Sequence, residues 1–281
     1  MMDRIKNSRA VSFLMIALVY AGAAAFGIAI YNALDLSFQL ALLIADFAAT
    51  GFVFVFSLIF SNASVYDPYW SVQPVVILWA AAAAKGFNAA GLLAMIAVTF
   101  WGIRLTANWA YTFKNLNSQD WRYTMLKEKT GRLYPFVNLL GIHLFPTLVV
   151  YACTLPALYL FEEGAHVGID SILCIMISFG AVLLQGTADY QMHVFRKKGR
   201  GGLIRTGLWK YARHPNYLGE ILMWWGIGLY SVLSMGAHFL LLWGALLNTL
   251  MFLFISVPLA EGRQSEKPGF EEYKEQTRMF I

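Results

Sequence analysis

Residues 167–190 read VGIDSILCIMISFGAVLLQGTADY. No charged residue occurs between Ser171 and Leu184. A helix rises 1.5 Å per residue, so about 20 apolar residues cross a hydrocarbon layer about 30 Å thick. The stretch therefore reads as a membrane helix. Its end is unusual, because Gln185 and Asp189 are polar, four apart and share one helix face.

The same pattern fills the rest of the chain. Of 281 residues, 59% are hydrophobic and 13% charged, against about 25% charged in soluble domains. This excludes a water-soluble enzyme, a disordered chain and a disulfide scaffold, and Cys153 and Cys174 both lie in apolar runs. The expected fold is all-α, a polytopic membrane bundle with spans at 11–31, 39–60, 66–84, 89–111, 136–161, 167–190, 215–231 and 237–258. Asp67, Pro68 and Pro74 interrupt the start of the third. With the N-terminus cytoplasmic, eight spans place 19 of the 21 Lys and Arg residues on one side, as the positive-inside rule requires. Seven spans would put one basic loop on the wrong side. Both termini are then cytoplasmic, and the net charge of +5 reports topology, with the bilayer as partner and no nucleic acid. Two segments are expected, an added N-terminal span at 1–38 and a membrane domain at 39–281.

Ionisable groups inside spans are costly and mark function. Arg104 and Asn108, Gln185 and Asp189, and Asn216 and Glu220 are each four apart, and each pair lies at the cytoplasmic end of its span. Three polar faces at one depth predict one polar cavity open to the cytoplasm. The competing reading is plain interhelical hydrogen bonding or snorkelling. Asp46, a lone acid toward the outer half of span two, reads as a structural pairing partner. The loop at 197–207, KKGRGGLIRTG, suits a phosphate but equally suits a flexible positive-inside loop. It is not a Walker A loop, and no strand precedes it as a Rossmann site needs. Five histidines show no metal spacing. Tyr66-Asp67-Pro68-Tyr69-Trp70-Ser71 is either an interfacial anchor with an N-cap or a donor to a bound lipid.

At Arg213-His214-Pro215-Asn216-Tyr217-Leu218-Gly219-Glu220, preceded by Gly207-Leu208-Trp209-Lys210-Tyr211, the sequence resembles the C-terminal domain of membrane steroid 5α-reductases and their bacterial relatives. Asp67-Pro68-Tyr69-Trp70-Ser71, Trp101-Gly102-Ile103-Arg104-Leu105-Thr106, Asn108 and Asp120-Trp121-Arg122-Tyr123 extend the likeness, as do Glu261, Arg263 and Phe270-Glu271-Glu272-Tyr273. It runs from about Ser61 to the C-terminus. The H-P-N-Y-x-G-E element is also similar to that of isoprenylcysteine and phospholipid methyltransferases, which use S-adenosylmethionine.

The resemblance implies a bacterial inner-membrane enzyme that binds NADPH and reduces a C=C bond in a steroid-like or other lipid. It assigns Gln185, Asp189 and Arg196 to the cofactor, with Arg104, Asn108, Asp120, Arg122, Arg205, Arg213, His214, Asn216, Tyr217, Glu220, Arg263 and Tyr273. Trp70, Trp101 and Trp224 would face the lipid. Steroid reductases polarise the substrate carbonyl with a Glu and a Tyr; Asp67 is the nearest acid here, and Trp101 stands where the Tyr is expected. Asp67, Tyr66 and Tyr69 are the candidate catalytic donors, since burial raises a carboxyl pKa. Two alternatives stay open, an S-adenosylmethionine-dependent lipid methyltransferase and a non-catalytic lipid-binding protein.

Overall fold

The computed structural model describes residues 6–162, 165–199, 202–236 and 238–280. Helix accounts for 81% of the structure and no strand occurs among the described residues. In chain order the main helices are α1 (Arg9–Ala33), α2 (Phe38–Ile59), α3 (Tyr69–Lys85), α4 (Ala89–Thr112), α5 (Trp121–Thr130), α6 (Phe145–Tyr159), α7 (Ile169–Lys197), α8 (Pro215–Ser234), α9 (Trp243–Met251), α10 (Val257–Gln264) and α11 (Phe270–Gln276). Wider π turns at Asn138–Leu144 and Phe252–Ser256 lead into α6 and α10.

Six helical stretches are long and apolar enough to cross a membrane: Arg9–Ala33, Phe38–Ile59, Ala89–Thr112, Trp121–Tyr159, Ile169–Lys197 and Phe239–Gln264. They mark an integral membrane protein. The other two expected spans are helical but differ in kind. Helix α3 has 17 residues, starts only after Pro68 and carries Pro74 inside it. Helix α8 has 20 residues, and Asn216, Glu220 and its glycines lower its apolar content.

The chain forms two compact units, one from Met1–Ala80 with Leu105–Tyr151 and the other from Ala81–Arg104 with Ala152–Ile281. In the first, Ile16, Val19 and Ala23 of α1 pack with Ala49 and Val53 of α2 and with Val65, Tyr66 and Tyr69. Tyr20 donates to the Val65 carbonyl at 2.8 Å, and Leu116 N–H donates to Ser12 Oγ at 3.1 Å. Helix α1 is thus tied to this unit by polar bonds as well as apolar burial.

In the second unit α7 and α8 pack through small residues. A Cβ at Gly219 would stand 2.5 Å from Gln185 Cγ and 2.8 Å from the Ala181 carbonyl. One at Gly226 would stand 2.2 Å from Ser178 Oγ. Small residues let membrane helices approach closely where lipid supplies no hydrophobic drive. Ser178 uses the approach to donate to the Met223 carbonyl at 3.0 Å. This contact fixes the register that sets Gln185 beside Glu220.

Candidate functional site

Five of the six paired polar residues lie in the second unit. Arg104, at the end of α4's share of this unit, donates from Nη1 to Asp189 Oδ2 and from Nη2 to Gln185 Oε1, both at 2.6 Å. The two acceptors are one turn apart on α7, so the planar guanidinium bridges them as a fork. Asn216 Nδ2 stands 3.5 Å from Asp189 Oδ1, a weak contact. Arg104 Nε is buried and has no hydrogen-bond partner.

Glu220 is the centre of a drier group. Its Oε2 accepts from Trp101 Nε1 at 2.8 Å and from Gln185 Nε2 at 2.9 Å; its Oε1 accepts from Trp224 Nε1 at 3.0 Å. Both indoles are fully buried and meet edge to face, with centroids 5.0 Å apart. Gln185 joins the two groups, since its carbonyl serves Arg104 and its amide serves Glu220. A buried carboxylate with three aligned N–H donors is well satisfied. Glu220 therefore holds the two tryptophans in place.

The C-terminal segment is clamped to the chain just before α8. Arg213 Nε and His214 Nε2 both reach Glu261 Oε1, at 2.8 and 3.1 Å. Arg213 also donates to the Lys274 carbonyl at 3.2 Å and to the Thr277 carbonyl. Backbone N–H groups of Arg213 and His214 donate to Arg278 and Met279. The His214 ring stacks on Tyr217 at 5.2 Å. Burial pushes the His214 pKa below its ordinary value, against the pull of Glu261.

Basic residues of this unit gather at the surface beyond the clamp. Arg205 bonds the Gly269 carbonyl and Glu272 and stands over the Tyr273 ring at 5.7 Å. Burial raises the Tyr273 pKa to about 12. Lys267 reaches the Gly202 carbonyl at 3.2 Å. Its pKa is lowered by burial first and then by the charges of Arg196 and Arg263. Both arginines are exposed. Arg200 and Gly201 of the basic loop lie outside the described residues.

The remaining expected site residues belong to the first unit: Tyr66, Asp67, Tyr69, Trp70, Asn108, Asp120 and Arg122. Asp67 Oδ1 accepts from Tyr123 at 2.7 Å. Burial pushes the Asp67 pKa up to about 6, opposed by the nearby Arg122 charge. Asp120 caps α5 through Arg122 N–H and binds the Arg122 side chain at 2.8 Å. Asp120 N–H in turn donates to Ser64 Oγ at 2.9 Å, which fastens the segment before α3 to the start of α5. Tyr69 donates to Asp46 Oδ1 at 3.0 Å, Gln73 Nε2 bonds the other Asp46 oxygen, and Tyr66 pairs with Thr147 at 2.8 Å. Asp46 is thus paired within its own unit.

Sequence reading did not select Glu261, Gln73, Asn138 or His143 as site residues. Glu261 enters the sequence argument only as part of the family resemblance, with no site role attached to it. The π turn that turns Asn138 and His143 inward leaves no periodic signal.

A family model described as "Protein of unknown function (DUF1295)" matches residues 53–277. An uncharacterized protein of Schizosaccharomyces pombe is 26% identical, over 75% of this chain and 68% of its own length. No solved structure matches. The family match covers most of the chain and both units, and the chain belongs to the DUF1295 family.

Proposed function

We propose that the chain is an NADPH-dependent membrane reductase of a C=C bond conjugated to a carbonyl in a lipid, as its likeness to steroid 5α-reductases implies. The carrying observation is Arg104, held by Gln185 and Asp189 with a buried Nε–H left over. That spare donor, with Asn216 beside Asp189, fits a ligand head rich in acceptors. The exposed Arg196 and Arg263 with Lys267 fit phosphate groups. When bound, NADPH supplies the hydride.

The chain's own residues supply orientation and a proton. Gln185 and Asp189 lock the guanidinium, and Glu220 locks the indoles of Trp101 and Trp224. Arg213 and Glu261 hold the C-terminal segment closed. Among the candidate donors, the Tyr69 hydroxyl is committed to Asp46 and the Tyr66 hydroxyl pairs with Thr147. Asp67, in the first unit, is the candidate acid: below about pH 6 its carboxyl carries a proton and can donate a hydrogen bond.

The positive-inside pattern supports eight crossings, with α3 and α8 added to the six apolar stretches, and a site open to the cytoplasm.

The test is titration of the purified full-length chain with NADPH and with S-adenosylmethionine, read by tryptophan fluorescence. Asp189→Ala and Arg104→Met should each weaken NADPH binding about tenfold or more, since each disrupts a charge-assisted contact. Unchanged affinity in both folded variants would overturn the proposal. Binding of S-adenosylmethionine in place of NADPH would favour the methyltransferase reading.

A further inference from the structure

The first unit contains a buried polar group whose hydrogen-bond inventory does not close. Three facing elements contribute: α2 with Ser57, α3 with Gln73, and the π turn at Asn138–Leu144 with Asn138 and His143. Gln73, Asn138 and His143 are 3%, 2% and 0% exposed. Each carries a buried atom with no hydrogen-bond partner: Gln73 Oε1, Asn138 Oδ1 and His143 Nε2.

The bonds they do make fix what those atoms are. His143 Nδ1 faces the Asn138 carbonyl at 3.0 Å, so Nδ1 carries the proton and Nε2 of the neutral ring is an acceptor. Gln73 Nε2 meets Asp46 and, at 3.5 Å, the Thr147 carbonyl, so the amide oxygen is the leftover end. Asn138 Nδ2 donates to Ser57 Oγ at 3.2 Å while that hydroxyl donates to the Phe54 carbonyl. Asn138 Oδ1 is again the leftover end. The three atoms are therefore all acceptors.

They belong to one contiguous group. Tyr66 joins its members: its ring lies 4.7 Å from His143 and its hydroxyl pairs with Thr147, whose carbonyl Gln73 touches. Two donors of the group are spent, Tyr69 on Asp46 and Gln73 Nε2 on the same carboxyl. A buried unpaired acceptor is costly, and a π turn inside a helix is rare and concentrated at functional sites.

We propose that this group is a binding site for the hydroxyl of a lipid alcohol, distinct from the polar cluster of the second unit. A carbonyl or ether oxygen brings no donor and satisfies none of the three acceptors, whereas a hydroxyl satisfies one. A hydroxyl donates its proton to His143 Nε2 or Gln73 Oε1, and its hydrocarbon tail suits the apolar helices around it.

The experiment uses the full-length chain in detergent micelles. Its melting temperature is followed against 1-dodecanol, dodecyl methyl ether and 2-tridecanone. The expected result is a saturable rise with the alcohol, with the ether and ketone about tenfold weaker, as loss of a buried hydrogen bond implies. His143→Phe and Gln73→Met each remove a leftover acceptor together with one donor, to the Asn138 carbonyl and to Asp46; both should remove the preference, and a cooperative melting transition without alcohol checks that each variant still folds. An equal response to the ether, no saturable response to the alcohol, or an undiminished preference in both variants would overturn the proposal. A larger shift with dodecylamine would also overturn it, assigning the site to an ammonium group. Failure of NADPH binding leaves this outcome untouched, since no nucleotide enters the assay.

Discussion

Replacing Glu220 by Gln changes one oxygen to an amide NH2 and little else. In the native chain the carboxylate accepts from Trp101, Trp224 and Gln185, at 2.8, 3.0 and 2.9 Å. The amide keeps one acceptor and turns a second donor toward an N–H. If its oxygen faces Trp101 and Gln185, the Trp224 indole loses its partner; if it faces Trp224, two donors lose theirs. The first arrangement is cheaper, and each lost bond to a charged acceptor costs about 1.5–3 kcal/mol. Glu220→Gln should therefore lower stability by about 2–4 kcal/mol, adding the weaker neutral bonds that remain. Glu220→Ala strands all three donors and should fail to fold. The assay is thermal melting of the purified full-length chain, followed by tryptophan fluorescence. Trp101→Phe in the Glu220→Gln background should cost less than in the native chain, because the bond is already weakened. A Glu220→Gln protein as stable as the native one, with additive Trp101→Phe, would refute the assignment of Glu220 as the clamp on the two indoles.

Glu261→Ala leaves the buried Arg213 guanidinium without its carboxylate and should cost about 3 kcal/mol; trypsin should then cut at Lys267 and Lys274 well before other sites. Burial raises the folded pKa of Asp67 from the ordinary carboxyl value of 3.8 to about 6, so the folded state binds the proton more tightly. Its contribution to stability is present in acid and is lost as pH rises from about 4 to about 6. The difference in melting temperature between native and Asp67→Asn chains should therefore fall across that window and level off above it; a flat difference contradicts the burial of this carboxyl. Gly226→Leu places a side chain against Ser178, where even a Cβ would lie at 2.2 Å. It should separate α7 from α8 and abolish folding, whereas Gly180→Ala, with nothing within 4 Å, should be neutral.

Much of this architecture is legible in spacing and charge. The i, i+4 pairs identify Gln185 and Asp189 as one face, and Arg104 meets both. Long apolar runs identify the six membrane-length stretches directly. Other features depend on packing that spacing does not encode. Arg104 and Asn108 share a helix face yet belong to different units, because compaction divides α4 between them. The N-cap expected at Asp67 is absent from the observed bonds: its carboxylate takes Tyr123, a partner 56 residues away in sequence. The third bond to Glu220, from Gln185, depends on the Gly219 approach to Gln185, which is a property of two helices together. The π turn that exposes His143 Nε2 is a backbone event with no composition of its own.

The proposed NADPH binding is tested most directly by the melting temperature of the full-length chain against NADPH, NADH and S-adenosylmethionine. A ligand at 100 times its dissociation constant stabilises the folded state by about 2.7 kcal/mol. A concentration-dependent rise with NADPH that vanishes in Asp189→Ala is the expected result. A rise with S-adenosylmethionine alone, or with none of the three, contradicts it.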